Sequence, residues 1–283
     1  MPGSFRITTI HKDGVMLVYP DIDPVAIQVG PIKVHWYGLM YLIGLAAAWG
    51  LGRLRAKRES SGWRSEEISD LIFYAAVGII LGGRCGYILF YNFSAFVQDP
   101  AMLFRIWEGG MSFHGGLLGV IVAMWCYARK TRRHFFQVSD FVAPLVPIGL
   151  GAGRIGNFIN GELVGRVASP DLPWAMVYPY VDQLPRHPSQ LYQAFTDGAL
   201  LFVLLWWFAS RPRPIGSISS LFLLGYGCMR FFTEFFRTPD SQIGFVAFDW
   251  MTMGQALSLP MVMVGGIGMV LSYQWATRQG KTT

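Results

Sequence analysis

The sequence predicts an all-α polytopic membrane protein with about seven transmembrane helices. Only 14% of its 283 residues are charged and 53% are hydrophobic, whereas ordinary soluble domains carry roughly 25% charged residues. Mean hydropathy is +0.38. Aromatic residues make up 15% of the chain and glycine occupies 33 positions, an enrichment expected of membrane helices and their interfaces. Cys85, Cys126 and Cys228 fall in separate apolar runs, which argues against a disulfide framework and against a zinc cluster.

A helix needs about 20 residues to cross a bilayer. Seven apolar stretches are long enough, at 35–53, 70–91, 111–128, 137–157, 190–209, 215–235 and 251–275. Tyr37 heads the first, Arg84 interrupts the second, and Ser112 and His114 open the third. The fourth carries Pro144, Pro147 and four glycines, and the fifth contains Asp197, so one of these two is expected to be broken or re-entrant. The sixth holds Arg230 and Glu234. The seventh is the clearest, with no charged side chain from Trp250 to Thr277. The membrane domain is therefore expected over 35–275, with an N-terminal segment 1–34, a long loop 158–189 and a tail 276–283. Residues 1–33 lack an apolar core of signal-sequence type, so no cleaved leader is expected. Met16 offers a second start, and residues 1–15 are expected to be either a flexible extension or the product of an overlong reading frame.

The basic residues orient these spans. Arg53, Arg55, Lys57, Arg58, Arg64, Arg129, Lys130, Arg132, Arg133, Arg211, Arg213, Arg278 and Lys281 fall on one side, 13 in all. The other side has seven, at Arg6, Lys12, Lys33, Arg105, Arg166, Arg186 and Arg237. The positive-inside rule then places the N-terminus outside and the C-terminus inside. The net charge of +6 thus reads as a topology signal, and no nucleic-acid partner is expected.

Arg84, Arg154 and Arg230 remain inside the spans, where a charged side chain costs several kcal/mol. On this topology Arg84, Arg154, Asn157, Arg230, Glu234 and Arg237 lie in the outer halves of their helices. Tyr37, Ser112, His114, Arg186, His187, Ser189 and Gln190 lie on the same side. Each has an ordinary explanation: arginines snorkel, Glu234 one turn after Arg230 makes an ion pair, and single histidines are usually satisfied polar groups. Anchoring would serve both faces, however, and the enrichment is one-sided. A cationic site in the outer leaflet suits an anionic head group, and guanidinium binds phosphate in bidentate fashion. Gly151-Ala-Gly-Arg-Ile-Gly156 mimics a dinucleotide fingerprint, but no strand–turn–helix surrounds it. The histidines at 11, 35, 114, 134 and 187 show no ligand spacing, so no metal and no cofactor is expected. Gly82, Gly83, Gly115, Gly116 and Gly119 read as helix-packing positions.

Gly153-Arg-Ile-Gly-Asn-Phe-Ile-Asn-Gly-Glu-Leu-Val-Gly165 resembles the signature segment of the prolipoprotein diacylglyceryl transferase family. The resemblance extends from about Tyr19 through His35-Trp-Tyr-Gly-Leu-Met-Tyr41, Leu81-Gly-Gly-Arg84, Gly110-Met-Ser-Phe-His-Gly-Gly116, Arg186-His-Pro-Ser-Gln-Leu-Tyr192 and Gly225-Tyr-Gly-Cys-Met-Arg230 to Glu234 and Arg237. It implies transfer of the sn-1,2-diacylglyceryl group from phosphatidylglycerol to the lipobox cysteine of a preprolipoprotein signal peptide, with release of glycerol 1-phosphate. It also implies a bacterial inner-membrane location, a site toward the periplasmic leaflet, an essential Arg154, and important Arg230, Asn157 and Gly165.

Such a reaction needs a thiolate and a stabilised leaving phosphate. Arg154 and Arg230 are the candidates for the phosphate. His114 is the candidate base, because an unperturbed imidazole titrates near pH 6.5; alternatively the cationic site lowers the thiol pKa directly. Tyr37, Tyr226 and Asn157 are candidates for bonding the glycerol head, Glu162 and Glu234 for orienting arginines, and Arg237 for a further substrate-binding group. Gly165 is expected to serve backbone conformation or close lipid approach. The competing class is an anionic-lipid transporter or flippase, which commonly shows paired repeats and a midplane site. Nothing in the sequence requires more than a monomer.

Overall fold

The computed structural model describes residues 8–11, 14–30, 32–58, 61–239 and 243–280. Its long helices are α1 (Trp36–Ala56), α2 (Ser65–Tyr91), α4 (Phe113–Lys130), α5 (Phe135–Val142) running through one 3-10 turn into α6 (Val146–Ile159), α9 (Ser217–Thr233) and α10 (Met253–Arg278). A short α3 (Phe93–Gln98) follows α2, and α7 (Ser189–Gln193) continues through a π-helical stretch, Ala194–Leu200, into α8 (Leu201–Phe208). All seven apolar stretches are thus largely helical. Among the described residues, Ser65–Tyr91, Phe135–Ile159, Ser189–Phe208 and Met253–Arg278 are long and apolar enough to cross a membrane. Pro144 sits in the 3-10 turn Ala143–Leu145, where its missing N–H interrupts the fourth stretch.

Residues 45–142 form one compact unit. Its framework is α2 against α4, joined by a glycine seam. A Cβ on Gly78 would lie 2.6 Å from the Gly119 carbonyl oxygen, and one on Gly86 2.7 Å from the Gly115 Cα. Gly82, Gly115 and Gly119 face backbone just as closely, so only hydrogen at these positions permits the approach. Gly116 meets nothing nearer than 3.6 Å, so it is not part of the seam, and Gly83 faces the Met111 side chain instead. Ser112 caps α4 by accepting from the Gly115 N–H at 3.2 Å. At the other end of α4, Arg133 forms a two-point pair with Glu67 at 2.8 and 3.1 Å and stacks over Trp63.

Arg84, expected to be a functional group, is a structural clamp. It is buried and donates to the carbonyls of Met102, Arg105, Gly109 and Gly110, tying the segment after α3 to α2.

Residues 1–44 and 143–283 form the other unit. Here α9 packs along α10 through Gly227, Gly265 and Gly268, and α6 meets the π-helical stretch where Gly151 faces Gly198. Leu201, Leu205, Ala143 and Ile218 form the apolar core between them.

The all-α expectation needs correction in this unit, because its connections carry short strands. The strands β1 (Thr8–His11) and β2 (Gly14–Val18) form a hairpin, so this part of the expected flexible extension is ordered; residues 1–7 and 12–13 lie outside the described residues. β3 (Val25–Val29) pairs with β4 (Ile32–His35) just before α1. β2 then runs parallel to β5 (Met176–Val177), which pairs with β6 (Pro185–Arg186) inside the loop expected over 158–189. β7 (Phe245–Ala247) and β8 (Met251–Thr252) lead into α10. This sheet is pinned to the end of α6, where the Tyr19 hydroxyl donates to the carbonyls of Phe158 and Ile159 at 2.7 and 2.9 Å. They belong to the last turn of the helix, whose carbonyls lack intrahelical donors, and the Phe158 carbonyl also accepts from the Gly161 N–H at 3.0 Å.

Candidate functional site

Arg154 and Asn157 stand three residues apart on α6, so their side chains share one face. Arg154 Nη1 donates to Asn157 Oδ1 at 3.3 Å, and Asn157 Nδ2 donates to Glu162 Oε2 at 3.0 Å. Asn160 Nδ2 donates to the other oxygen of Glu162 at 3.3 Å. Glu162 can reach back because the chain reverses after Ile159, with Gly161 at φ 68° and Leu163 at φ 58°. The left-handed conformation strains a branched residue such as Leu163. The start of α7 holds that turn, with Gln190 Nε2 donating to the Glu162 carbonyl at 2.6 Å and Ser189 Oγ to the Leu163 carbonyl at 2.8 Å.

Gly165 follows at the centre of a three-strand clasp. It bridges to Arg237 on one side, while Val167 bridges to Arg186 on the other. The Arg186 guanidinium donates to the Gly165 carbonyl at 2.9 Å. A Cβ on Gly165 would collide with the His187 carbonyl and stand 2.8 Å from that of Phe236. The requirement for glycine here is therefore close backbone approach.

The third element is α9. Arg230 Nη2 pairs with Glu234 Oε2 at 2.8 Å, and Glu234 Oε1 lies 3.5 Å from Arg237 Nη1. Glu234 is 3% exposed and fills the space beside Gly254 of α10, where a Cβ would come within 2.8–2.9 Å of the carboxylate. Tyr226, one turn before Arg230, lies within hydrogen-bonding reach of Arg154 and in the field of Asp197 and Arg230. Tyr37 at the head of α1 packs on Gly156, a hypothetical Cβ there being 2.9 Å from the ring, and its hydroxyl is 3.5 Å from that of Tyr41.

Arg154, Asn157 and Glu162 thus form one bonded chain and Arg230, Glu234 and Arg237 another in this unit, coupled electrostatically around Tyr226, with Tyr37 against the α6 face. His114 lies in the other unit, exposed in the first turn of α4, with its ring edge-on to Phe113 at 5.6 Å.

The sequence reading missed Asp197. Its side chain is fully buried, interacts electrostatically with Arg154, Arg230 and Glu234, and leaves Oδ2 without a hydrogen-bond partner among the described residues. Gln193, four residues earlier, is likewise buried with both amide atoms unpartnered, and Arg230 Nη1 is unpartnered too. The signal was a charge inside an apolar run, which is a functional indicator in its own right. Here it lies in a π-helical stretch, a distortion frequent at functional sites.

A cavity of about 440 Å³ opens beside this network, lined by Trp174, His187, Tyr192, Phe195, Phe232 and Phe236 among others. Its polar rim is internally satisfied: Trp174 Nε1 donates to the Tyr192 hydroxyl at 2.7 Å, and His187 Nδ1 is 3.1 Å from the same oxygen. Burial lowers the pKa of the His187 imidazole from its ordinary value. In the same loop the Arg186 guanidinium, bonded to both Asp182 oxygens, holds that carboxyl below the usual carboxylate range.

A family model described as prolipoprotein diacylglyceryl transferase matches residues 24–271. The phosphatidylglycerol–prolipoprotein diacylglyceryl transferase of Coxiella burnetii (strain Dugway 5J108-111) is 58% identical over 263 residues, covering 93% of this chain and 100% of the relative. The protein of the same name from Legionella pneumophila (strain Lens) is 60% identical over 250 residues, covering 88% of this chain and 97% of the relative. With a family match running through the α6 signature, the Arg186 loop and the arginines of α9, this chain belongs to the prolipoprotein diacylglyceryl transferase family.

Proposed function

We infer that this chain transfers the sn-1,2-diacylglyceryl group of phosphatidylglycerol to the lipobox cysteine thiol of a preprolipoprotein, forming a thioether and releasing glycerol 1-phosphate. This is the first step of bacterial lipoprotein maturation. The observation that carries it is the pair of guanidiniums, Arg154 from α6 and Arg230 from α9, that share the field of buried Asp197, with Arg230 Nη1 unpartnered among the described residues. Two forks on one site suit the phosphate of an anionic lipid.

The reaction is displacement at carbon. The thiol sulfur bonds the terminal glyceryl carbon, the carbon–oxygen bond breaks, and its electron pair goes to the phosphate oxygen. Arg154 and Arg230 bind the phosphate and stabilise the charge that grows on it, as pre-aligned donors do in other displacements. Asn157 and Tyr226 orient Arg154 and, with Tyr37, bond the free glycerol hydroxyls. Glu162 holds Asn157, and Glu234 holds Arg230 and Arg237. Gly165 keeps the clasp closed over the end of α6. His114 takes the thiol proton, whose unperturbed pKa is about 8.5. No cofactor enters this chemistry.

The membrane frame is the seven-span topology, with domain 35–275, a periplasmic segment 1–34, a periplasmic loop 158–189 and a cytoplasmic tail 276–283. It sets a monomer in the inner membrane with its site toward the periplasmic leaflet. The test is reconstitution in phosphatidylglycerol vesicles with a lipobox peptide and its Cys→Ala version. Cysteine-dependent release of glycerol phosphate is expected. Movement of the lipid to the opposite leaflet without release would favour a flippase.

A further inference from the structure

The unassigned group in this site is Asp197, and its surroundings suggest a task. Four charged or titratable groups interact with it electrostatically, Arg154 from α6, Tyr226 and Arg230 from α9, and Glu234 from the 3-10 turn after α9. Glu234 is committed, because it is ion-paired to Arg230 and Arg237 on two sides. Arg154 donates to a neutral group, the Asn157 amide, and has the Tyr226 hydroxyl within reach. Asp197 is therefore the carboxylate that balances charge here without an ion pair of its own. Thr196 Oγ1 donates to its Oδ1 at 3.3 Å, while Oδ2 is open.

A lipid phosphate entering the field of the same two guanidiniums places a second anion beside a buried carboxylate. Like charges brought together in one low-dielectric site do not both stay ionised, and a proton is shared or taken up. With Glu234 occupied by two arginines, the place for that proton is the open Oδ2 of Asp197.

We propose that Asp197 is a further catalytic residue: it takes up a proton when the lipid phosphate binds and donates it to the bridging oxygen as the carbon–oxygen bond breaks. The proposal rests on the transferase reading. The sulfur–carbon bond forms, the carbon–oxygen electron pair passes to the phosphate oxygen, and the Asp197 proton completes the leaving monoester. The thiol proton goes to His114, and Asp197 returns to carboxylate.

Asp197→Asn keeps size and burial while removing the transferable proton. The variant is expected to lose about 100-fold or more in kcat, the range for general acid catalysis, with KM for phosphatidylglycerol unchanged or lower. Asp197→Glu restores part of the rate. A phosphatidylglycerol analogue with sulfur in place of the bridging oxygen needs no proton to leave, so Asp197→Asn is expected to process it within a few-fold of the wild type. Calorimetry of phosphatidylglycerol binding in two buffers of different ionisation enthalpy is expected to show proton uptake by the wild type and none by Asp197→Asn. Undiminished turnover by Asp197→Asn, or an equal defect on both lipids, overturns the proposal. Transfer by the wild type without proton uptake overturns only the role given to Asp197. Lipid binding without any transfer by the wild type overturns the transferase reading and this proposal with it.

Discussion

Arg154 and Arg230 are both arginines on long helices, yet their surroundings predict different losses. Arg154 is half-buried and donates to the neutral Asn157 amide, and Arg154→Ala leaves buried Asp197 facing Arg230. Transfer is expected to fall by about 100-fold or more, as for removal of a donor to developing charge, with a smaller drop in melting temperature than for Arg230→Ala. Arg230→Ala strips one of the two partners from a Glu234 side chain that is 3% exposed. Breaking a buried pair costs about 3–5 kcal/mol, so this variant is expected to lose both activity and thermal stability, and Arg230→Ala with Glu234→Gln to recover stability alone. Thermal melts alongside rate measurements separate the two cases. His187 makes a pH prediction. Its folded-state pKa is lowered by burial, so the unfolded chain binds the proton more readily. Its contribution is complete above the unfolded value near pH 6.5 and is lost as pH falls below it. His187→Phe is expected to flatten the fall in melting temperature between about pH 7 and pH 5; an unchanged slope would assign that fall to other groups.

At the scale of elements, glycine decides which backbones touch. Gly82→Ala drives a methyl group into the Gly115 backbone across the α2–α4 seam, whereas Gly116→Ala meets only ordinary contact distances. Overpacking costs about 1–3 kcal/mol, so the first variant is expected to melt clearly lower than the second, and equal melting would contradict the seam. Gly165→Ala should open the clasp and lower activity even though no side chain is removed. The helices were legible because each is a long apolar run and needs no distant partner to be recognised. The strands were not. β2 meets β5 through Leu17 opposite Met176, a pairing of short segments far apart in the chain that no local pattern announces. Asp197 is visible as a charge in an apolar run, but nothing local shows that α6 and α9 deliver two arginines to it. Arg84 errs the other way: an arginine in an apolar run suggested function, and four loop carbonyls consume it.

For the whole molecule, the distribution of 13 and seven basic residues predicts that the loop 158–189 faces the periplasm and the α4–α5 turn the cytoplasm. In a background free of native cysteines, Ser169→Cys is expected to react with a membrane-impermeant reagent in intact cells and Thr131→Cys only after lysis; the reverse pattern would invert the orientation and move the arginine network to the wrong leaflet. The central claim is that this network binds the lipid phosphate and carries the transfer. Its most direct measurement is the mass of a lipobox peptide after incubation in phosphatidylglycerol vesicles with wild-type protein or with Arg154→Ala. A diacylglyceryl mass gain on the cysteine with the wild type, absent with Arg154→Ala at equal protein insertion, is the expected result. Equal mass gain with both proteins would contradict the account.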